Sequence, residues 1–322
     1  MTLRAAVLAL SLAAAAAAVL AQARTPQASP PTKLRVEKLA EGVWAAQPER
    51  GANVGWFVLG DGVVAVDSGN DTETAEAILK SIAETAGKPV RHLVLTHSHG
   101  DHSRGARAFA AAGAVVVCHQ NVAGSILALV TQPATDPGDP LAKKPGLKPV
   151  VESVSERSFL LDGLRTAEID YLGAAHTKED LIVYLTQEKI LFAGDVASNG
   201  RLPDMKSIDA DPLGWERALQ NLSRVGVQKM VPGHGEIGPA SGLADSLAYV
   251  HRVNELAKKF LEAKIPDDMV TAQVRAPENV IEHVPVTDAH IANVRAVMRD
   301  LKEKSQKPAP TPAPTPGKTS SS

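Results

Sequence analysis

Residues 92–102 read His92-Leu93-Val94-Leu95-Thr96-His97-Ser98-His99-Gly100-Asp101-His102, and this stretch sets fold and chemistry together. The first five residues form a short apolar run with the pattern of a buried strand. Three imidazoles and a carboxylate then fall between positions 97 and 102, a density that a solvated loop does not accumulate. In a turn after a strand, the alternate residues His97 and His99 point to one side, while Asp101 and His102 reach a second position close by. Neutral imidazole and carboxylate are ligands that zinc prefers, and three protein ligands per ion leave a position open for water. Gly100 is expected to permit a sharp backbone turn between the two pairs.

One cluster cannot fill two sites, so partners are expected at the ends of other strands. His176 follows Gly173-Ala174-Ala175. Asp195 follows the apolar run Ile190-Leu191-Phe192-Ala193 and Gly194. His234 stands in Pro232-Gly233-His234-Gly235. Each is a ligand type just past a strand in a glycine-containing turn, which is where loops of sheet proteins converge on a site. Asp67, in Val66-Asp67-Ser68-Gly69, also ends a strand and is either a turn-former or an acceptor that orients a ligand histidine. His92, His251, His283 and His290 have no second ligand type nearby and are assigned to surface or packing. His119, just after a strand, is a candidate for the rim of the pocket.

Outward from this centre, strand and helix patterns alternate. Short β-branched runs cover residues 43–46, 54–59 and 63–66, the last two joined through Gly60-Asp61-Gly62 as a hairpin. Asp71 caps a helix reaching about Thr85, with Ala75, Ile78, Leu79 and Ile82 on one face. Residues 104–112 read as helix and 114–117 as strand. Residues 131–150 hold five prolines and two glycines, which predicts a long loop of the kind that often serves as a lid. Strands follow at 158–161, 167–171, 181–185, 189–192 and 227–231, with a helix opening at Asp211-Pro212. Two further helices, marked by Leu243 to Phe260 and by Ile291 to Leu301, close the domain. This rhythm favours two packed sheets with helices outside.

The ends of the chain differ in kind from the middle. Arg4, an Ala-rich apolar run over residues 5–20 and Ala21-Gln22-Ala23 predict a signal peptide over 1–23, cut after Ala23. Residues 24–33 read as a tether, 34–303 as one hydrolase domain, and 304–322, rich in Pro, Thr and Ser, as a disordered tail. The expected location is therefore periplasmic or secreted, with no stable membrane insertion once the signal is removed. The charge, 34 basic against 36 acidic residues or −2, offers no basic field for nucleic acid. The single cysteine, Cys118, cannot form an internal disulfide and reads as a buried thiol.

The HxHxDH turn with His176, Asp195 and His234 resembles the metallo-β-lactamase superfamily over nearly the whole folded region. The resemblance implies an α/β (α+β) architecture, an αββα sandwich of two mixed β-sheets with the metals at one edge. It implies one zinc on His97, His99 and His176, a second on Asp101, His102 and His234, and Asp195 bridging both. Residues 173–200 and 231–238 resemble true class B β-lactamases, but those enzymes carry Cys at the Asp195 position and Lys at the Ser198 position. A bridging Asp is instead usual in hydroxyacylglutathione hydrolases, lactonases and related members. The expected activity is hydrolysis of an ester, thioester, lactone or amide of a small molecule by a hydroxide held between two zinc ions, with Asp101 and Asp195 as the catalytic carboxylates. Two other functions compete. A β-lactamase would need Lys178, Arg201 or Lys206 to replace the missing carboxylate anchor. A non-hydrolytic iron redox or accessory metal-binding protein would use the same N/O ligands, which also hold iron or manganese.

Overall fold

Strand β5 (Val90–Val94) lies inside a seven-stranded sheet, and its neighbours explain why the ligand turn leaves from its end. The order in that sheet is β1 (Leu34–Ala40), β2 (Val43–Pro48), β3 (Val54–Leu59), β4 (Gly62–Val66), β5, β6 (Val115–His119) and β7 (Val151–Val154). The first four strands are antiparallel, and β4 to β7 run parallel. Parallel neighbours need crossovers, and the chain supplies helices for them: α1 (Thr72–Ala86), the short α2 (Gly100–Ser103) and α3 (Ala106–Ala111), and α4 (Ala123–Thr131).

The second sheet has the order β13 (Gly238–Pro239), β12 (Lys229–Pro232), β11 (Ile190–Gly194), β10 (Leu181–Leu185), β9 (Thr166–Tyr171) and β8 (Arg157–Leu161). Only β11 and β12 pair in parallel, and α5 (Pro212–Leu222) makes their crossover. Helices α6 (Ser241–Glu262), α7 (Val270–Arg275) and α8 (Asp288–Gln306) follow. The computed structural model describes residues 32–134, 136–281 and 284–306. The predicted signal peptide, nearly all of the tether, His283 and residues 307–322 lie outside them.

Three apolar layers hold this arrangement. Phe57, Val64, Val94, Leu181, Val183 and Phe192 meet between the two sheets. Ile78, Ile82, Phe109 and Val130 cover the outer face of the first sheet. Trp215, Leu219, Val250, Val253, Val294 and Val297 cover the second. The architecture is thus two mixed sheets between helical layers, as expected. Helix α1 follows its sequence signals: the Asp71 carboxylate accepts from the Thr74 N–H at 2.8 Å, and Gly87 ends the helix at φ 62°.

Several expectations shift. Strand β1 precedes the first run read as a strand; it is a mostly exposed edge whose apolar alternation, Leu34 and Val36, stops at Lys38. Helix α4 and strand β7 flank the proline-rich stretch. That stretch is mostly loop, with one helical turn at Pro140–Lys143. The buried Arg107 guanidinium ties it down, bonding the Asp139 carboxylate at 2.7 Å and the carbonyls of Leu129 and Gln132 at 3.1 and 2.7 Å. The last helix runs on to Gln306, three residues into the predicted tail.

Candidate metal centre

The turn is fixed before any ligand is placed. Thr96 donates its N–H to Asp67 Oδ1 at 2.8 Å, and its carbonyl accepts from the Leu181 N–H of the other sheet at 2.7 Å. The two sheets are stitched together at the residue preceding His97. Asp67 takes φ 63°, a left-handed conformation uncommon for a residue with a Cβ. Its carboxylate reaches His102 Nδ1 at 2.8 Å. That hydrogen bond sets the tautomer and turns Nε2 of the fully buried His102 toward the cluster. Asp67 thus does both things the sequence offered for it: it holds the turn through Thr96 and faces the ring of His102.

Gly100 acts differently from expectation. Its φ is not positive; it opens the short helix α2, and a Cβ there would come 2.5 Å from the Arg104 guanidinium. The helical turn itself carries Asp101 and His102 round to the second position.

The other three ligand candidates arrive from the second sheet. His176 sits in the β9–β10 connection, where the buried Asp180 carboxylate accepts from the Thr177 N–H at 2.7 Å. Its Nδ1 donates to the Asp204 carbonyl at 3.1 Å, and Trp215 packs edge-on against its ring. Asp195 follows β11 and His234 follows β12. Their turns interlock so closely that a Cβ on Gly233 would lie 2.1 Å from Asp195 Oδ1. Only glycine fits between those two ligands.

All seven residues converge. One donor atom from each of His97, His99, His176 and Asp195 lies within 4.8 Å of the others, and the same holds for Asp101, His102 and His234. Asp195 stands between the two groups: Oδ2 is 3.3 Å from His176 Nε2 and 3.7 Å from His234 Nε2, while Oδ1 is 3.5 Å from His102 Nε2.

The donor set fits a metal. Among the described residues, His97 Nε2, His102 Nε2 and Asp195 Oδ1 are buried without a hydrogen-bond partner. Each such orphan costs about 1–3 kcal/mol unless something else satisfies it. Burial and the adjacent imidazoles push His97 well below the ordinary histidine range, leaving it neutral as a ligand must be. The hydrogen bond from His234, 3.0 Å away, draws Asp101 down to about 2. Burial opposes ionisation of Asp195, yet the facing His102, 3.5 Å away, and the charges of His97 and His176 hold it well below the carboxylate range. His102 is held well above its ordinary value despite burial, because it faces the carboxylates of Asp67 and Asp195. A cation in the cluster would replace that proton as the partner of the carboxylates.

His99, Asp101, His176, Asp195 and His234 open onto a cleft of about 450 Å³. Its far wall is residues 197–207, not the proline-rich loop, so the lid expectation is not met by that loop. Arg201 and Lys206 line the wall. Lys206 is paired with Asp204 at 3.1 Å, and Lys178, which does not line the cleft, is paired with Asp209 at 2.8 Å. Among the described residues Arg201 has no hydrogen-bond or ion-pair partner. His119 stacks on Tyr171 with ring centroids 4.1 Å apart and does not reach the cleft. Cys118 is buried, and that burial pushes its thiol up to about 11, so it offers no nucleophile. Sequence reading missed Glu179, which accepts from Ser98 Oγ at 2.6 Å between the first two histidines. It also missed the Asp204 carbonyl, because a main-chain acceptor leaves no mark in residue type.

The fold and this centre define a class, and comparison with known proteins gives the same one. The family model of the metallo-beta-lactamase superfamily matches residues 48–234, more than half of the chain. The chain belongs to that superfamily of metal-dependent hydrolases. A linear primary-alkylsulfatase from a Pseudomonas species is 22% identical over 285 residues, covering 75% of this chain and 53% of that protein. The chain thus spans about half the length of that relative. A metallo-beta-lactamase type 2 from Bacillus cereus is 28% identical over 189 residues, covering 58% of this chain and 68% of that protein. A solved metallo-beta-lactamase from Pontibacter korlensis superposes with a TM-score of 0.56 at 26% identity, covering 68% of this chain and 99% of that one. Among the described residues no helix is long and apolar enough to cross a membrane.

Proposed function

We propose that the chain hydrolyses an ester, thioester, lactone or amide of a small molecule, using two divalent cations, zinc by preference. The observation that carries this is the convergence of seven ligand-type side chains around three orphaned buried atoms. His97, His99 and His176 would hold one ion, Asp101, His102 and His234 the other, with Asp195 between them. When bound, such ions activate water and polarise the substrate's reacting oxygen.

The chain's own residues supply the rest. Asp101 and Asp195, both held ionised, accept hydrogen bonds from the attacking water and take its proton before it passes to the leaving group. Asp67 and the Asp204 carbonyl hold the rings of His102 and His176 in one orientation. Arg201, unpaired among the described residues, places a positive charge on the cleft wall, suited to a substrate with an anionic group.

That charge, together with the alkylsulfatase relative, favours a second reading in which the scissile group is a sulfate ester. The β-lactamase reading draws on the lactamase relatives, and of the three candidate anchors Arg201 is, among the described residues, the unpaired one that lines the cleft. Metal analysis after growth with zinc should give close to two equivalents, and chelation should abolish activity; zero bound metal defeats the proposal. A panel of lactone, thioester, alkyl sulfate and cephalosporin substrates separates the readings. Residues 1–23 are read as an export signal, so intact-mass measurement on exported protein should find Arg24 first. A retained N-terminus in the membrane fraction would mean an anchor instead.

A further inference from the structure

Helix α8 lies beyond the residues that the family model matches, yet it reaches the wall of the cleft. Asn293, on this helix, is buried, at 2% exposure. Its Nδ2 donates to the Pro203 carbonyl at 2.8 Å, and its Oδ1 accepts from the Met205 N–H at 3.0 Å. The amide therefore grips the main chain on both sides of Asp204. Between those two contacts, the Asp204 carbonyl accepts from His176 Nδ1 at 3.1 Å.

The second N–H of Asn293 is also used. It donates to the Tyr249 hydroxyl at 2.9 Å, and that hydroxyl donates onward to Nδ1 of His290 at 3.0 Å. Burial holds His290 below its usual range, so its ring is neutral and can accept there. With all three polar contacts made, the Asn293 amide has no freedom to rotate.

We infer that Asn293 is a positioning residue for the metal centre, acting through the Asp204 carbonyl on the ring of His176. The inference rests on His176 being a metal ligand. The side chain of Asp204 takes no part, since it pairs with Lys206 at the surface. Substituting Asp204 would leave the carbonyl in place, so Asn293 is the handle. Outer partners of ligand histidines fix ring orientation, and losing one costs metal affinity. Docking of helix α8 and metal binding at His176 are then linked, each favouring the other.

The test is zinc affinity of the full mature chain, read by competition with a chromophoric chelator, together with the imidazole N–H resonance of His176 in the zinc-loaded protein. Asn293→Ala is expected to weaken zinc at the three-histidine set by about 10- to 100-fold and to shift or lose that resonance. Val297→Ala, a fully buried position on the same helix, is the control. It should lower Tm while leaving zinc affinity and the resonance as in the wild type. Equal weakening by both variants, or unchanged affinity in Asn293→Ala, overturns the inference. If Asn293→Ala does not fold, Tyr249→Phe removes only the hydroxyl that Asn293 grips. It should give a smaller effect of the same sign, and no effect on affinity or resonance also overturns the inference. Failure of the wild type to bind zinc would instead defeat the metal reading itself.

Discussion

Residues 96–102 and residues 196–211 line the same cleft and are built on opposite terms. The first segment is short, follows a central strand, and is held by Asp67 at the end of the neighbouring strand, by its own helical turn, and by Leu181 and Glu179 around the β9–β10 connection. The second contains no helix or named strand, only an isolated bridge at Asn199. It is held from far along the chain. Ser246 accepts from the Ser198 N–H at 3.1 Å, the Asn199 amide bonds the Glu236 carbonyl at 3.0 Å, and Asn293 grips Pro203 and Met205. The difference teaches that the turn supplying four of the seven ligand-type residues is one short stretch inside the family-matched region, whereas the facing wall depends on helices from outside it.

The most damaging test of the chemistry that residues 96–102 serve is at Asp195, which stands between the two candidate ligand groups. Asp195→Ala removes a carboxylate that lies within 3.7 Å of imidazoles from both groups. The Asp101, His102 and His234 set keeps fewer imidazoles and should lose its ion first. About one metal equivalent should remain, with hydrolysis reduced at least about 100-fold. Metal content and turnover measured on one preparation check this. Two tightly bound metals with full activity would remove Asp195 from the site.

Legibility followed the same division. The strand before His97, the rhythm of two packed sheets with outer helices, and the seven convergent residues are readable because each rests on residue type, dense at 97–102 and otherwise a ligand type in a glycine-containing turn after a strand; the αββα layering is what the family resemblance implies. Strand β1 is not, since on this mostly exposed edge the apolar alternation stops at Lys38. The proline content of residues 131–150 correctly predicted a loop, but composition does not say where a loop lies. The buried Arg107 draws it onto the first sheet's helices, away from the cleft. The wall at 196–211 carries no periodicity, and its anchors are main-chain atoms and distant amides, which no local pattern announces.

A smaller effect sharpens the account of how the turn is oriented. Asp67→Asn keeps a residue type that tolerates φ 63° but removes the charge that His102 Nδ1 faces at 2.8 Å. The expected result is about 10-fold or more weaker zinc binding at the set containing His102, with the three-histidine set unaffected. Sequential metal titration separates the two. Equal weakening at both sets would mean that Asp67 supports the whole turn rather than one ring.

The smallest expected effect tests the other half of the comparison, the wall. Arg201 is exposed and, among the described residues, unpaired, so it contributes nothing visible to the fold; Arg201→Ala should leave Tm and metal content unchanged. Its position on the cleft gives it a use only when an anionic group enters. Exposed ion pairs are worth at most about 1 kcal/mol, and partial enclosure raises that toward the 1.4 kcal/mol equivalent to about tenfold. KM for an anionic substrate should therefore rise by up to about tenfold with kcat nearly constant, the signature of lost binding that is uniform between ground and transition states. A neutral ester should show no change. Lys178→Ala is the internal contrast, because that ammonium is held by Asp209 away from the cleft and its loss should alter neither substrate. If Arg201→Ala changed kcat for the neutral ester as well, Arg201 would be shaping the wall itself, and substrate charge would no longer distinguish the wall from the turn.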